Sequence, residues 1–401
     1  MYRPPSLFDT DLYKMSMQNA VCKLFPRAEV EYQFVNRGKH AFPEGFAVAL
    51  RELVDDFRGI KVHTYEIEAL RDNVPYFDQV YLDFLRGYHY DPREVTIEQI
   101  GDELSVTVRG PWYRSILWEV PLMASISELY YEMTKQKPIS EEAQISINRS
   151  KMEGLRAMGV HSAEFGTRRR FSYEVHERFV MGMEDFRDVF VGTSNVHFAI
   201  THNWTPIGTI AHEWFQFHAA RYGYRYANYM AMENWVQVYN GDLGIALPDT
   251  FTTEVFLRSF DTKYAKLFDG GRQDSGDAKE WTDKWTAHYR RLKIDPMSKA
   301  YIYSDGINSL DQACDIHLHY LKTVCGIGAA DRHSEIKTKD SICIGTWFTN
   351  DVGPKPMNMV IKMVKAKVNG EWVDTVKLSD SPGKHTGNPD AIELCKGMLG
   401  L

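Results

Sequence analysis

Cysteine is scarce in this 401-residue chain: there are five, an odd number, and none is in C-x-x-C spacing. That scarcity speaks against a disulfide framework and against a structural zinc site. Positive charge is not in excess either, since 47 Lys and Arg stand against 54 Asp and Glu, for a net charge of −7. Nonspecific binding to nucleic acid or a membrane surface needs a basic surplus, so neither partner is expected. No apolar run reaches membrane-spanning length, and Met1-Tyr2-Arg3-Pro4-Pro5 lacks the apolar core of a secretion signal. A reduced, cytoplasmic protein is the expectation. There is no Walker-type phosphate loop, and Gly326-Ile327-Gly328 lacks the third glycine of a dinucleotide fingerprint. His212-Glu213 is not followed by a histidine at the zincin position. The next one, His218, falls on a different helix face, which argues against a shared zinc.

What the chain does contain is a repeated sentence. Between Val160 and Thr346 a short apolar run is followed by a tight polar tip and then, usually, a helix-like stretch. The tips are Glu164-Phe165-Gly166, Gly192-Thr193-Ser194-Asn195, Gly208-Thr209, Pro248-Asp249-Thr250, Arg272-Gln273-Asp274-Ser275-Gly276, Ser304-Asp305-Gly306 and Ile344-Gly345-Thr346. Strands alternating with helices predict a mostly parallel sheet, and the irregular spacing suits an imperfect, TIM-like α/β barrel. Every tip would then lie on the C-terminal face, where such folds carry their chemistry. The first part reads differently. Val30 to Asn36 and Val95 to Val108 predict antiparallel strands, the latter folded over Gly101-Asp102. A helix is predicted over Ser115 to Gln136, and a second between an N-cap at Ser140 and a stop at Gly159. Asn358 to Val368 and Trp372 to Leu378 predict a hairpin around Asn369-Gly370. The expected division is an N-terminal α/β domain with antiparallel strands (1–136), a barrel (137–354), and a tail (355–401) that returns to the first domain.

Converging tips of glycine, hydroxyl, carboxylate and arginine suit an anionic, phosphate-bearing ligand. His212 follows Gly208-Thr209-Ile210-Ala211, near a strand tip at the opening of a helix, where it could serve as acid, base or nucleophile. It could equally be a hydrogen-bonded loop histidine. Asp249, Asp274 and Asp305 each end a different strand, and carboxylates that face one mouth need a compensating cation. Magnesium is the natural one, because it takes one or two carboxylates and shares its other positions with water and phosphates. The alternative is that each aspartate caps the helix or turn behind it. Arg272 would offer its planar fork to a carboxylate or phosphate. The run Arg168 to Arg170 is ordinarily a solvated face, but it adjoins Phe165, and an aromatic beside arginines can stack a planar anionic ring.

These residues resemble a known family. Leu7 to Met15, Glu164 to Arg168, Gly192 to Val196, Gly208 to Glu213, Gly271 to Gly276 and Leu378 to Lys384 are all similar to the nicotinate phosphoribosyltransferases, in the expected order along nearly the whole chain. The resemblance implies a homodimer of an N-terminal α/β domain and an irregular α/β barrel, with active sites shared at the interface. It implies a reaction of nicotinate with phosphoribosyl pyrophosphate that gives nicotinate mononucleotide and pyrophosphate, coupled to ATP hydrolysis, in NAD biosynthesis.

Roles follow by the same resemblance. Phe165, and Tyr13 from the neighbouring subunit, would sandwich the pyridine ring, and Arg272 would pair with its carboxylate. Asp249 and Asp274 would face the ribose and magnesium. Arg37, Arg168, Gly345 and Thr346 would hold phosphates, with Ser304, Asp305 and Gly306 lining the same mouth. His212 matches the position that the family phosphorylates transiently from ATP. Ser194 stands where the related nicotinamide enzymes carry an aspartate, so its hydroxyl would favour the acid over the amide. Two glycine turns compete for the phosphate loop, Gly345 and Gly328, and Gly345 matches the family better. The rival readings are a nicotinamide phosphoribosyltransferase and a magnesium-dependent barrel hydrolase.

Overall fold

The computed structural model describes residues 3–327, 337–381 and 383–401. Its first sheet starts with β1 (Glu29–Val35), β2 (Val95–Ile100) and β3 (Glu103–Pro111). Leu104, Val106 and Val108 point to the covered face while their neighbours face outward, which is the alternation seen in the sequence. The predicted Gly101-Asp102 turn closes the hairpin, with Ile100 opposite Glu103.

The second sheet is parallel. It consists of β4 (Ser162–Glu164), β5 (Phe190–Thr193), β6 (Ile245–Ala246), β7 (Gly270–Gln273), β8 (Ala300–Tyr303) and β9 (Asp340–Ile344), in the order β5-β4-β9-β8-β7-β6. The first strand thus pairs with the last, and each of the six ends at an expected tip. The seventh run adds only one parallel bridge, Pro206 to Thr193. Among the described residues no ladder joins that segment to β6, so hydrogen bonding leaves the cyclic order open on one side. The N-terminal segment lies at the opening. Asp11 bridges Asn195, Leu12 N–H donates to Ser194 O at 2.8 Å, and Ser16 Oγ donates to Thr209 O at 2.5 Å. Gly208 has φ +155° there, and a Cβ on it would stand 2.8 Å from the Tyr13 nitrogen, so only glycine allows this approach.

The last strands, β10 (Val360–Val368) and β11 (Glu371–Asp374), rejoin the first sheet, giving the order β11-β10-β1-β3-β2. Asn369 and Gly370 both have positive φ (53° and 90°), as a two-residue hairpin turn requires. The tail therefore returns to the N-terminal strands, as expected.

The predicted helix over Ser115 to Gln136 is shorter, at Glu119–Met133, with a helical turn and a 3₁₀ turn over residues 112–118 ahead of it. Pro121 explains the break: it has no N–H to bond back to Leu117. Ser140 accepts from Ala143 N–H at the start of the Glu141–Met158 helix, and Gly159 ends it at φ 71°. No helix among the described residues is long and apolar enough to cross a membrane. All five cysteines carry free thiols.

Arg170 contradicts the reading of its run as a solvated face. Its side chain is 0% exposed, holds both oxygens of Asp9 at 2.9 Å, and donates from Nε to Glu128 at 2.8 Å. Replacing it by methionine removes the cation from two buried carboxylates. Arg170→Met should therefore cost about 3–5 kcal/mol of stability, measured as a lowered urea midpoint or melting temperature.

Candidate active site

Strand ends of the parallel sheet, the start of the Leu12–Leu24 helix and one face of β10 enclose two joined cavities. The inner one, of about 100 Å³, is bounded by Tyr13, Phe165, Arg168, His212, Arg272, Asp274 and Lys362, over a floor that includes Tyr32, Glu119 and Glu213. The outer one, of about 460 Å³, is lined by Arg37, Ser304, Asp305, Gly306, Gly345, Thr346, Lys377 and Lys384. Phe165, Arg168, Arg272, Asp274 and Lys362 face both. The inner chamber is therefore aromatic and cationic, and it opens onto a wider cationic vestibule. That order suits a planar anion inside and phosphate groups outside.

His212 is the first residue of the His212–Tyr222 helix, as its sequence context implied. Its Nδ1 lies 2.9 Å from Thr250 Oγ1. Its Nε2 lies 2.9 Å from Asp274 Oδ2 and 2.8 Å from Lys377 Nζ, so a proton and a lone pair at that atom each have a partner in reach. Burial lowers the imidazole pKa from its ordinary value, and the Lys377 ammonium pushes the same way. Asp249 is buried behind it. The Asp249 carboxylate accepts from Ser275 Oγ at 2.6 Å, with Lys377 Nζ at 3.3 Å and His212 Nε2 at 3.7 Å. Burial alone would raise the Asp274 carboxyl, but Arg272, His212 and Lys377 drive it well below its usual range.

Arg272 is braced from both sides, donating to Asp274 at 2.5 Å and to Ser304 Oγ at 2.9 Å. Arg168 donates to Glu119 at 3.2 Å, and its guanidinium lies 5.7 Å from the Tyr13 ring centroid. Lys362 makes no hydrogen bond or ion pair among the described residues. Burial, with Lys377 and Arg37 nearby, pushes its ammonium down to about 7.

Most of the expected residues therefore meet, but two expectations need correction. Tyr13 reaches the inner cavity of its own chain, so both aromatics that line this cavity come from one chain. Ser194 faces neither cavity. It is fully buried and donates to Asp11 Oδ1 at 2.9 Å, because the N-terminal segment crosses the β5 tip and covers it. The capping alternative also fails for the aspartates. Thr252, Asp277 and Ser309 cap the helices that follow the three tips, leaving Asp249, Asp274 and Asp305 turned inward or toward the vestibule. Asp305 instead stands 3.6 Å from Lys384.

Gly345 lines the vestibule beside Thr346, whereas Gly328 lies outside the described residues. Sequence reasoning missed Lys362 and Lys377, which sit on β10 and just beyond β11 rather than at a barrel tip. It also missed Lys14, Glu119, Glu213 and Thr250. Lys14, Glu213 and Thr250 carried a signal, as neighbours of Tyr13, His212 and Asp249.

Comparison with known proteins agrees with this geometry. Residues 160–400 match the nicotinate phosphoribosyltransferase (NAPRTase) family, and residues 8–127 match its N-terminal domain. A nicotinate phosphoribosyltransferase of Chromohalobacter salexigens is 49% identical over 398 residues, covering 99% of this chain and 98% of the relative. One from Desulforapulum autotrophicum is 46% identical, covering 98% of each. The crystal structure of the enzyme from Porphyromonas gingivalis superposes with a TM-score of 0.92 at 40% identity, over 100% of both chains.

Because Lys377 opposes charge on the ring, removing it should make His212 easier to protonate. In the metal-free protein, Lys377→Met should move the His212 imidazole titration to higher pH, so that the neutral ring is lost earlier on acidification. Ring resonances followed by NMR would show this, and a downward or absent shift would contradict the assignment.

Proposed function

The chain belongs to the nicotinate phosphoribosyltransferase family, and from that membership we propose how its cavities perform the reaction. The substrates are nicotinate and phosphoribosyl pyrophosphate, and the products are nicotinate mononucleotide and pyrophosphate, a step in NAD biosynthesis. The observation that carries this reading is a single cavity holding Phe165, Tyr13, Arg168 and Arg272, which opens through shared walls onto the cationic vestibule.

The pyridine ring lies between Phe165 and Tyr13. Aromatic stacking of this kind contributes roughly 0.5–1.5 kcal/mol beyond area burial and fixes where the ring nitrogen points. Arg272, with its fork already braced by Asp274 and Ser304, takes the ring carboxylate, and Arg168 adds charge of the same sign. With Ser194 covered, preference for the acid over the amide rests on these cations. Arg37, Gly345, Thr346 and the vestibule lysines hold phosphate groups. The ring nitrogen attacks the anomeric carbon as its bond to pyrophosphate breaks. The positive charge that develops there is favoured by Asp274 and Asp249.

Magnesium fits this pair. Asp249 Oδ1 is buried without a hydrogen-bond partner, and His212, Asp249 and Asp274 offer ligand atoms within 4.8 Å of one another. Asp249 and Asp274 are the residues that would hold the ion, which would neutralise the leaving pyrophosphate.

ATP is the proposed co-substrate, and His212 its phosphoryl acceptor. A ring kept neutral by burial and Lys377 has a nucleophilic nitrogen. A phosphoryl group there would place charge beside the vestibule lysines and alter their hold on pyrophosphate. We further read the parallel sheet as an irregular barrel opened between the Pro206 segment and β6, with residues 137–354 forming that domain. Residues 1–136 and 355–401 form the other. The homodimer rests on the family resemblance alone, and within one chain Tyr13 and Phe165 already share a cavity.

Incubation with nicotinate, phosphoribosyl pyrophosphate, ATP and magnesium should yield nicotinate mononucleotide. Nicotinamide in place of nicotinate should not support the reaction. Arg272→Met should raise the KM for nicotinate roughly 10- to 100-fold, the loss of a hydrogen bond to a charged group, and should change the KM for phosphoribosyl pyrophosphate less. His212→Ala should abolish stimulation by ATP while leaving some basal transfer. Equal stimulation in variant and parent would refute the phosphohistidine.

A further inference from the structure

Glu164 opens the first barrel tip, yet it faces neither cavity and has no role in the chemistry above. Its side chain is 0% exposed, an unfavourable place for a carboxylate unless donors compensate it. Three groups do so. Oε1 accepts from the Gly166 N–H, closing the turn that carries Phe165. Oε2 accepts from Thr193 Oγ1 at 2.5 Å, and His176 Nε2 lies 2.8 Å from the same oxygen.

Glu164 is also linked, by side chain and by backbone, to the segment that carries Tyr13 to the inner chamber. Thr193 Oγ1, while donating to Glu164, accepts the Asn195 N–H at 3.0 Å. The Ser194 N–H donates to the Glu164 carbonyl at 2.8 Å, and the Ser194 carbonyl accepts the Leu12 N–H at 2.8 Å. Asn195 bridges Asp11. Through the Thr193 hydroxyl the carboxylate, and through the Ser194 N–H the Glu164 backbone carbonyl, tie the β4 tip with Phe165 to the start of the helix with Tyr13. On its other side, the Phe165 N–H donates to Ile344 O at 2.8 Å, which holds the tip against β9.

We propose that Glu164 is a positioning residue that sets the separation between Phe165 and Tyr13, and so the width of the slot for the pyridine ring. The inference rests on the reading of these two aromatics as the ring slot. A flat ring is sensitive to that width, because dispersion falls off within a fraction of an ångström. Phosphate binding in the vestibule is less so: Phe165 and Arg168 line that cavity too, but Arg37, Gly345 and Thr346 line only that one. Loosening Glu164 should therefore act chiefly on nicotinate.

The test is steady-state kinetics on the full-length enzyme with both substrates varied. Phe165→Leu should raise the KM for nicotinate; no change would overturn the slot reading itself. Glu164→Gln should raise the KM for nicotinate about tenfold, with the KM for phosphoribosyl pyrophosphate nearly constant. Combined with Phe165→Leu it should add less than the product of the single effects, as coupled residues do. Should Glu164→Gln fail to fold, Thr193→Val removes one donor at nearly constant shape and should shift the nicotinate KM in the same direction. Thr193→Ser, which keeps the hydroxyl, should restore it. The proposal falls if Phe165→Leu raises the nicotinate KM while the folded Glu164 and Thr193 variants do not. It falls equally if those variants raise both KM values alike, or if Thr193→Ser behaves as Thr193→Val.

Discussion

The ammonium of Lys14 has almost no contact with water and lies between two carboxylates, Glu119 and Glu213, the latter at 2.6 Å. Each of the three residues belongs to a different helix, and each is next to something the site requires. Lys14 follows Tyr13, Glu213 follows His212, and Glu119 also accepts from Arg168. Burial raises the Glu213 carboxyl, and Tyr32 donates to it at 2.5 Å, so the group is fully engaged. A charge taken out of water must find its counter-charge inside the protein, and satisfying that requirement brings the three helices together. The tyrosine that lines the inner cavity, the arginine beside it and the histidine are located by one buried cation.

The C-terminal segment imposes a second constraint. β10 completes the N-terminal sheet, and the chain beyond β11 then crosses the ends of β6 and β7. Leu378 N–H donates to Thr250 O at 2.8 Å, and Asp380 accepts the Thr253 N–H at 2.8 Å. Lys377 is delivered to His212 by that strap. The same segment thus belongs to the antiparallel sheet by its hydrogen bonds and to the reaction centre by its lysines. A division of labour between the two sheets does not hold at the residue level.

Much of this was legible in advance, and the reasons differ by residue. Gly101-Asp102 and Asn369-Gly370 announce their turns because the backbone there demands residues that tolerate positive φ. The strand tips are legible because a parallel strand is a short apolar run and its end must be polar. Phe165, His212, Arg272 and Asp274 sit on those tips and were found. Lys362 and Lys377 were not, because a lysine on a half-covered strand looks the same whether its tip meets water or a cavity. Ser194 was misjudged for the opposite reason. Its tip position was right, but nothing local shows that Asp11, 183 residues earlier, accepts its hydroxyl.

The succession of strands along the chain, the polar character of their ends and the family to which they belong were determined by the amino-acid sequence alone. Local periodicity and motif spacing are properties of the chain and survive without coordinates. Which end residues face a cavity, which are covered, and which distant charges neutralise them were decided only in three dimensions. Arg170 and Arg168 are two residues apart in one basic run. The first is buried against Asp9 and Glu128, while the second faces the cavities. That distinction depends on compensation between charges remote in sequence, and local sequence does not encode it.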